Sequence, residues 1–435
     1  MQNCRKERQK AFILPFLQSC NSAFLQLLMS LRSSRAVAVA LVTFATFTDI
    51  VAYSVAVPVL PDLSRKSGAS PTMIGLLFAS FGVTLLTVSI PMGAVSDRTG
   101  RKAPMVGGML ALAAATLLFA YSDGLPWLFA ARLVQGAADA ITWVVGFALI
   151  ADRYGPDERG RVTGIVMSGT SVAIMVGPTI GGWLYEIGGI RAPFLLVVAL
   201  AAVAAFGFLW LEMPSAIAES ERVPVGVVLR SRPVAVCAAV VVAISATLSM
   251  LEPVLPLHLS ATLGIGPARI GLIFGCGAVA STILNPIYGR LADRWGGRRL
   301  MLTGLPLVAC ALPLINLAWN YPSTIGFFVV HTMAVAMVIT PSLAFMAEAV
   351  SAAGVGSFGV GYGLYNMAWG AGLLSGPAVA GFVFDRVGFA RLTLLWAPML
   401  LIVSVLLARV QSRVRLKPDT TETTGPTHHN GSVRL

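Results

Sequence analysis

Charge is scarce in this chain. Only 11% of its 435 residues are Asp, Glu, Lys or Arg, while 56% are hydrophobic and mean hydropathy is +0.80. A soluble domain carries about 25% charged residues, and with so few the chain cannot clothe a water-facing surface. Histidine and cysteine are scarce too, at four and five. Cys4, Cys20, Cys237, Cys276 and Cys310 are scattered, odd in number and without metal-ligand spacing, so they read as free apolar fillers. His331 stands alone in an apolar run and reads as a packed polar residue. With no metal-spaced His set, no nucleotide-binding loop and no nucleophile beside a base, the sequence points to no enzyme, no cofactor and no metal site.

What fills the chain is apolar runs. Residues 73–96, 103–122, 162–185, 192–211, 233–251, 270–289, 360–384 and 392–408 contain no charge. Residues 300–347 contain none either and are divided by Asn320, Tyr321 and Pro322. Residues 36–60 carry one Asp, and residues 126–151 carry one Arg and one Asp. A helix needs about 20 apolar residues to cross a bilayer, so the runs predict an all-α membrane protein of twelve transmembrane helices.

Placing both termini in the cytoplasm puts 24 of the 31 basic residues in the tails and inner loops, six outside, and Arg132 within a span. That is the positive-inside pattern, and the net charge of +12 needs no nucleic acid to explain it. The expected organisation is a basic segment at 1–35, a six-helix bundle at 36–211, a cytoplasmic linker at 212–232, a second six-helix bundle at 233–410 and a disordered polar tail at 411–435. Residues 11–17 are too short for a span and lack a small-residue cleavage site. The first segment is therefore either an interfacial amphipathic helix or a stretch preceding a true start at Met29.

The two halves repeat. Residues 93–102 read Gly-Ala-Val-Ser-Asp-Arg-Thr-Gly-Arg-Lys, and Gly93 and Asp97 recur 196 positions later as Gly289 and Asp293. Glycine permits a turn or close helix approach. The aspartate caps a helix or pairs with the next arginine, Arg98 or Arg294, while Arg101 and Lys102 hold the loop inside. These residues, with Gly100, form a candidate gating set. Pro58-Val-Leu-Pro61 likewise recurs as Pro253-Val-Leu-Pro256, which predicts kinked helices in both halves. Gly169, Gly177-Pro178 and Gly181-Gly182 are echoed by Gly372, Gly376-Pro377 and Gly381. Such small-residue faces serve either close packing or a hinge.

Acidic residues at membrane depth are the candidate chemistry. Asp49 lies about twelve residues from either end of its span, near the bilayer centre, where an acid costs about 2.5–3.5 kcal/mol and is kept for a pathway, a pair or a proton relay. Glu252 precedes the second proline kink. Arg132 and Asp139, seven residues apart, share one helix face at about 10 Å, too far for a direct ion pair. Two readings stand: partners on other helices within a proton relay, or a network that only locks helices together. Tyr53, Trp143, Tyr362 and Trp369 are candidate aromatic walls for a cation.

These motifs resemble those of the major facilitator superfamily across residues 36–409. The 93–102 loop looks like its signature loop, Arg132-Leu-Val-Gln135-Gly136 like its fourth-helix motif, and Gly177-Pro178 with Gly181-Gly182 like the fifth-helix motif of its proton-driven antiporters. Phe47-Thr-Asp49, Arg159-Gly-Arg-Val-Thr-Gly164, Tyr185-Glu186 and Met250-Leu-Glu252-Pro253 resemble the vesicular amine transporters and their bacterial relatives. The resemblance implies two six-helix pseudo-symmetric bundles, with Asp49 as the carboxylate that meets a substrate ammonium and Glu252 as its seventh-helix counterpart. The chain departs from that family at Phe81, where it carries Lys, at Thr393, where it carries Asp, and at Asn366, where it carries Asp; Glu348 is an approximate match for another acid.

The implied function is proton-coupled antiport of small lipophilic cations or drugs, an efflux by alternating access across a bacterial-type inner membrane. Asp49, Arg132, Asp139, Glu252 and Glu348 would carry protons, with Asn366 beside the substrate. The partners implied are a small molecule, protons and the lipid bilayer, with no nucleic acid and a monomeric protein. The alternatives are transport of a neutral metabolite or sugar, with the acids handling protons alone, and a non-transporting membrane receptor.

Overall fold

The computed structural model describes residues 30, 32–122, 124–213, 231–352 and 358–409. The expectations for the first 29 residues, most of the linker and the tail fall outside them. Eleven helices among the described residues are long and apolar enough to cross a membrane. The spans, numbered in chain order, are Arg35–Ser67, Pro71–Thr99, Lys102–Tyr121, Leu125–Arg153, Pro156–Gly188, Arg191–Trp210, Arg232–Leu263, Pro267–Trp295, Gly297–Leu317 and Tyr321–Ala352. The helix Phe358–Ala408 holds the eleventh and twelfth. It turns at Gly388, whose φ of 77° lies where only glycine sits without strain. The expected twelve spans are thus present, the last two joined through a single residue.

Each half has its own core. One apolar cluster runs from Val39 to Phe208, and two more, from Val240 to Leu407 and from Val234 to Ala368, fill the second half. The repeat persists in the backbone, since Gly68 and Gly264, 196 positions apart, end the first and seventh spans with the same φ of 62°. The repeated proline segment behaves differently in its two copies. In the first, the helix ends at Ser54 and resumes at Leu60 after a 3-10 turn over Val57–Val59. Ser54 is four residues before Pro58, whose ring clashes with that carbonyl and which has no N–H to donate to it. In the second, Pro253 and Pro256 sit within one continuous helix, so the expected interruption appears in the first span alone.

The bundles meet through backbone. The second span lies against the eleventh, where a Cβ on Gly75 would stand 2.9 Å from Gly381 Cα and one on Gly381 would stand 2.6 Å from the Pro71 carbonyl oxygen. The eighth lies against the fifth, where a Cβ on Gly271 would collide with the carbonyl oxygen of Pro178 and one on Gly182 with that of Pro267. Pro71 and Pro267, and Gly75 and Gly271, are each 196 positions apart, so the two interfaces are one contact made twice. All of these contacts lie in the halves of the spans remote from the basic loops. Toward the basic loops, added side chains at Gly160, Gly164 and Gly289 would meet nothing within 4 Å. Among the described residues the bundles are sealed together at the end remote from the basic loops, and these glycine contacts have no counterpart toward the loops.

Because the atom facing Gly271 is backbone, Gly271→Ala cannot be accommodated by a rotamer change. It should cost about 1–3 kcal/mol and lower the thermal midpoint of the purified protein in detergent, while Gly164→Ala, which faces open space, should leave it unchanged or raise it. Equal midpoints for the two variants would overturn the close approach.

Candidate functional site: a buried polar core between the bundles

Four residues apart on the first span, Asp49 and Tyr53 point the same way, and both are buried. The fourth span brings Arg132 and Asp139 to the same place. It gets there because Gly136 has no side chain: a Cβ would collide with the carbonyl oxygen of Phe81 on the second span. Asp139 stands within hydrogen-bonding reach of Asp49 and near the indole of Trp143, one helical turn further on, and no N–H or hydroxyl donor reaches either oxygen of Asp49. Trp143 stacks on Phe147 at 5.7 Å.

Arg132 is fully buried, and none of its three nitrogens is hydrogen-bonded. Its guanidinium carbon lies 4.4 Å from the ring centre of Phe78, 5.2 Å from Phe119 and 5.4 Å from Tyr53. Aromatic faces attract a desolvated cation by about 2 kcal/mol, which offsets part of the cost of leaving the donors unpaired. The Tyr53 hydroxyl donates to the carboxylate of Glu252 on the seventh span, and Glu252 and Tyr53 both lie within electrostatic reach of Arg132. This bond joins the two bundles at the centre of the molecule. Arg132 and Asp139 therefore each find company on other helices, as their spacing implied.

Phe81, at the position where the amine transporters carry Lys, packs on the Tyr53 ring at 4.8 Å. Thr393, where they carry Asp, accepts a hydrogen bond from Asn316 at 2.7 Å. Both departures are absorbed without a stranded charge. The predicted second-half residues, Glu252 excepted, do not join the core. Trp369 stacks on Tyr365 and packs beside an apolar cluster of the second half, Asn366 is half-buried, and the side chain of Tyr362 lies outside the described set. His331 is buried against Phe328 with both ring nitrogens unpartnered.

Glu348, expected as a relay residue, is exposed, four residues before the end of the tenth span. Its true counterpart is Asp152, 196 positions earlier, which sequence reasoning missed. Arg101 donates through Nε to Asp152 at 2.8 Å and through Nη1 to Asp97 and Ser96, each at 2.6 Å. Asp97 thus pairs with Arg101 and not with adjacent Arg98, because Gly100, at φ 81°, folds residue 101 back beside residue 97. Lys102 donates to the carbonyl of Leu211, ending the sixth span, and Arg298, 196 positions on, donates to that of Leu407, ending the twelfth. In the second copy the place of Arg101 falls to Gly297, and Asp293 and Arg294 are exposed. The repeat keeps the strut and loses the charged triad. Gly177 and Pro178 are buried, where Gly177 meets Ser54 of the first span.

The sequence profile of the Major Facilitator Superfamily matches residues 42–252 and 237–429. The chain is 29% identical over 321 residues to the human chromaffin granule amine transporter, covering 73% of this chain and 61% of that protein. It is 28% identical over 387 residues to a probable vesicular acetylcholine transporter-B of Danio rerio, covering 83% and 78%. It therefore spans about three fifths of the length of the amine transporters it matches. In three dimensions it is similar to a bacterial homolog of the human lysosomal transporter Spinster, with a TM-score of 0.69 at 14% identity, over 86% of this chain and 97% of that one. With twelve spans in two repeated bundles and the profile matched in both halves, the chain belongs to the Major Facilitator Superfamily.

Proposed function

We propose that this transporter exchanges protons for small lipophilic cations, exporting them by alternating access. The observation that carries the proposal is the placing of Asp49 and Asp139 side by side, away from water, with aromatic rings around them. A cation arriving beside the two carboxyl groups competes with a proton for the same oxygens, so one can displace the other. Trp143 and Tyr53 offer the apolar body of such a cation a flat wall. The names of the relatives, amine and acetylcholine transporters, support a cationic substrate. Glu252, tied to Tyr53 and facing Arg132, is the third acid of the set and connects the site to the second bundle.

The end remote from the seal carries the basic loops, which the positive-inside rule assigns to the cytoplasm. On that orientation this is the form that loads from within, and an inner membrane of bacterial type supplies the proton gradient. A potential of 100 mV adds about 2.3 kcal/mol for each net charge moved. The Asp97–Arg101–Asp152 triad lies wholly within the first bundle and braces its loop, which we assign to gating at this end.

Two expectations follow. The triad bonds are charge-assisted and worth about 1.5–3 kcal/mol each, so Asp97→Asn should leave membrane insertion intact and slow exchange about tenfold or more. Asp293→Asn, in the copy without the arginine, should have a milder effect, and normal exchange by Asp97→Asn would remove the gating role. For the site itself, binding of a cationic and a neutral compound is to be measured from about pH 5.5 to 8.5, where a competing proton gives up to about a tenfold change per unit. Wild-type affinity for the cation should rise with pH. Asp49→Asn should abolish that rise and largely spare the neutral compound, and an equal rise in both proteins would exclude Asp49 and move the exchange site to Glu252.

A further inference from the structure

The sealed end carries a pair of contacts that lie apart from the buried polar core. Glu186 lies near the end of the fifth span, and its carboxylate accepts the backbone N–H of Ala268 at 3.2 Å. Ala268 is the second residue of the eighth span, behind Gly266 and Pro267. Asp385 lies near the end of the eleventh span and accepts the hydroxyl of Thr72 at 2.6 Å. Thr72 is the second residue of the second span, behind Ser70 and Pro71. Thr72 and Ala268 are 196 positions apart, and Glu186 and Asp385 are 199 apart, the same offset as Gly177-Pro178 and Gly376-Pro377, so the two contacts occupy equivalent places in the two halves.

The two contacts reach equivalent helix starts through different donors, a backbone N–H on the eighth span and a threonine hydroxyl on the second. The first turn of a helix holds N–H groups with no partner inside the helix and a partial positive charge. Proline at the first position has no N–H, so the second residue is where an acceptor is first useful. Each bundle therefore presents a carboxylate to the start of a helix in the other. One turn before each acid stands a glycine, Gly182 before Glu186 and Gly381 before Asp385, and these are the glycines that let the chain approach Pro267 and Pro71. Glycine followed four residues later by an acid is thus a two-part device: the glycine admits the opposing helix start and the acid holds it. One copy would be an incidental surface contact. Two copies, in equivalent positions and facing each other's bundle, are a matched closure.

We propose that Glu186 and Asp385 are gating residues that hold the sealed end shut and release together whenever that end opens. The proposal rests on alternating access and not on the nature of the substrate or on proton coupling. Both acids are exposed, so each contact is individually weak and breaks readily. That suits a closure made and broken in every cycle.

Thr179 reports on this closure, because its hydroxyl donates across the interface to the Gly271 carbonyl at 3.3 Å and is uncovered when the end opens. With the five native cysteines replaced, Thr179→Cys is labelled by a membrane-impermeant maleimide from the sealed face, with no substrate and no pH gradient. Contacts at helix starts worth what such charges usually supply predict labelling about 2- to 5-fold faster in Glu186→Ala or Asp385→Ala and about 3- to 30-fold faster in the double variant. Glu186→Gln with Asp385→Asn keeps acceptors and loses charge, and should fall between. Unchanged labelling in a double-alanine variant that reaches the membrane normally overturns the proposal. Should that variant fail to reach the membrane, Thr72→Val, which removes one donor, carries the same comparison: faster labelling supports the closure and an unchanged rate overturns it. Since nothing is transported in this assay, its failure is separable from failure of the proton–cation exchange.

Discussion

Arg132 brings a full charge to a place without water, and its surroundings are built to tolerate that. Three aromatic faces surround the guanidinium, Glu252 lies within reach on the opposite bundle, and no oxygen satisfies its nitrogens directly. A buried charge whose partner is removed typically costs several kcal/mol. The cation is therefore under pressure to find an acceptor whenever the bundles shift. The Tyr53–Glu252 bond is the element through which a change in one bundle reaches it.

The frame and the chemistry obey different symmetries. The lysine and arginine struts at Leu211 and Leu407, the left-handed turns at Gly68 and Gly264 and the glycines of the second and eighth spans recur at a spacing of 196, and the glycines of the facing fifth and eleventh spans at 199. The charges of the core do not. The positions 196 after Asp49, Arg132 and Asp139 are Ser245, Phe328 and Val335, and the position 196 before Glu252 is Ala56. A machine that rocks about a pseudo-twofold axis needs matched contact surfaces, and repetition supplies them. Under the proposed exchange, a site for one asymmetric cation has no use for a second copy of its carboxylates, and those positions are free to become packing.

Hydropathy and repetition made the spans, the two halves and the first-half acids legible, because each depends on residues near one another in sequence or on a fixed offset. The seven-residue gap from Arg132 to Asp139 correctly excluded a direct pair. What could not be seen was which helix supplies a partner. Asp152, Phe78 and Phe119 are unremarkable in sequence and matter only because Gly136 and Gly100 bring other segments to them. The surroundings of Glu348 were hidden for the same reason. Taken alone, Glu348 is an acid near a span, and only its offset of 196 from Asp152 places it opposite the acid of the first-half loop brace. The glycine-then-acid pattern at 182–186 and 381–385 was also present in the sequence, but nothing local announces that its partner is the first turn of a distant helix.

The joint at Gly388 has a mechanical consequence. With one residue between them, the eleventh and twelfth spans have no slack, so a tilt of one is delivered undamped to the other, as in a rigid elbow. The fifth and sixth spans are coupled almost as stiffly through Gly189 and Ile190. The helices that touch across the sealed interface are thus each welded to a neighbour on the outside of their own bundle. Torque applied at the interface is spread across the bundle's full width, which favours rocking of whole bundles over bending of single helices.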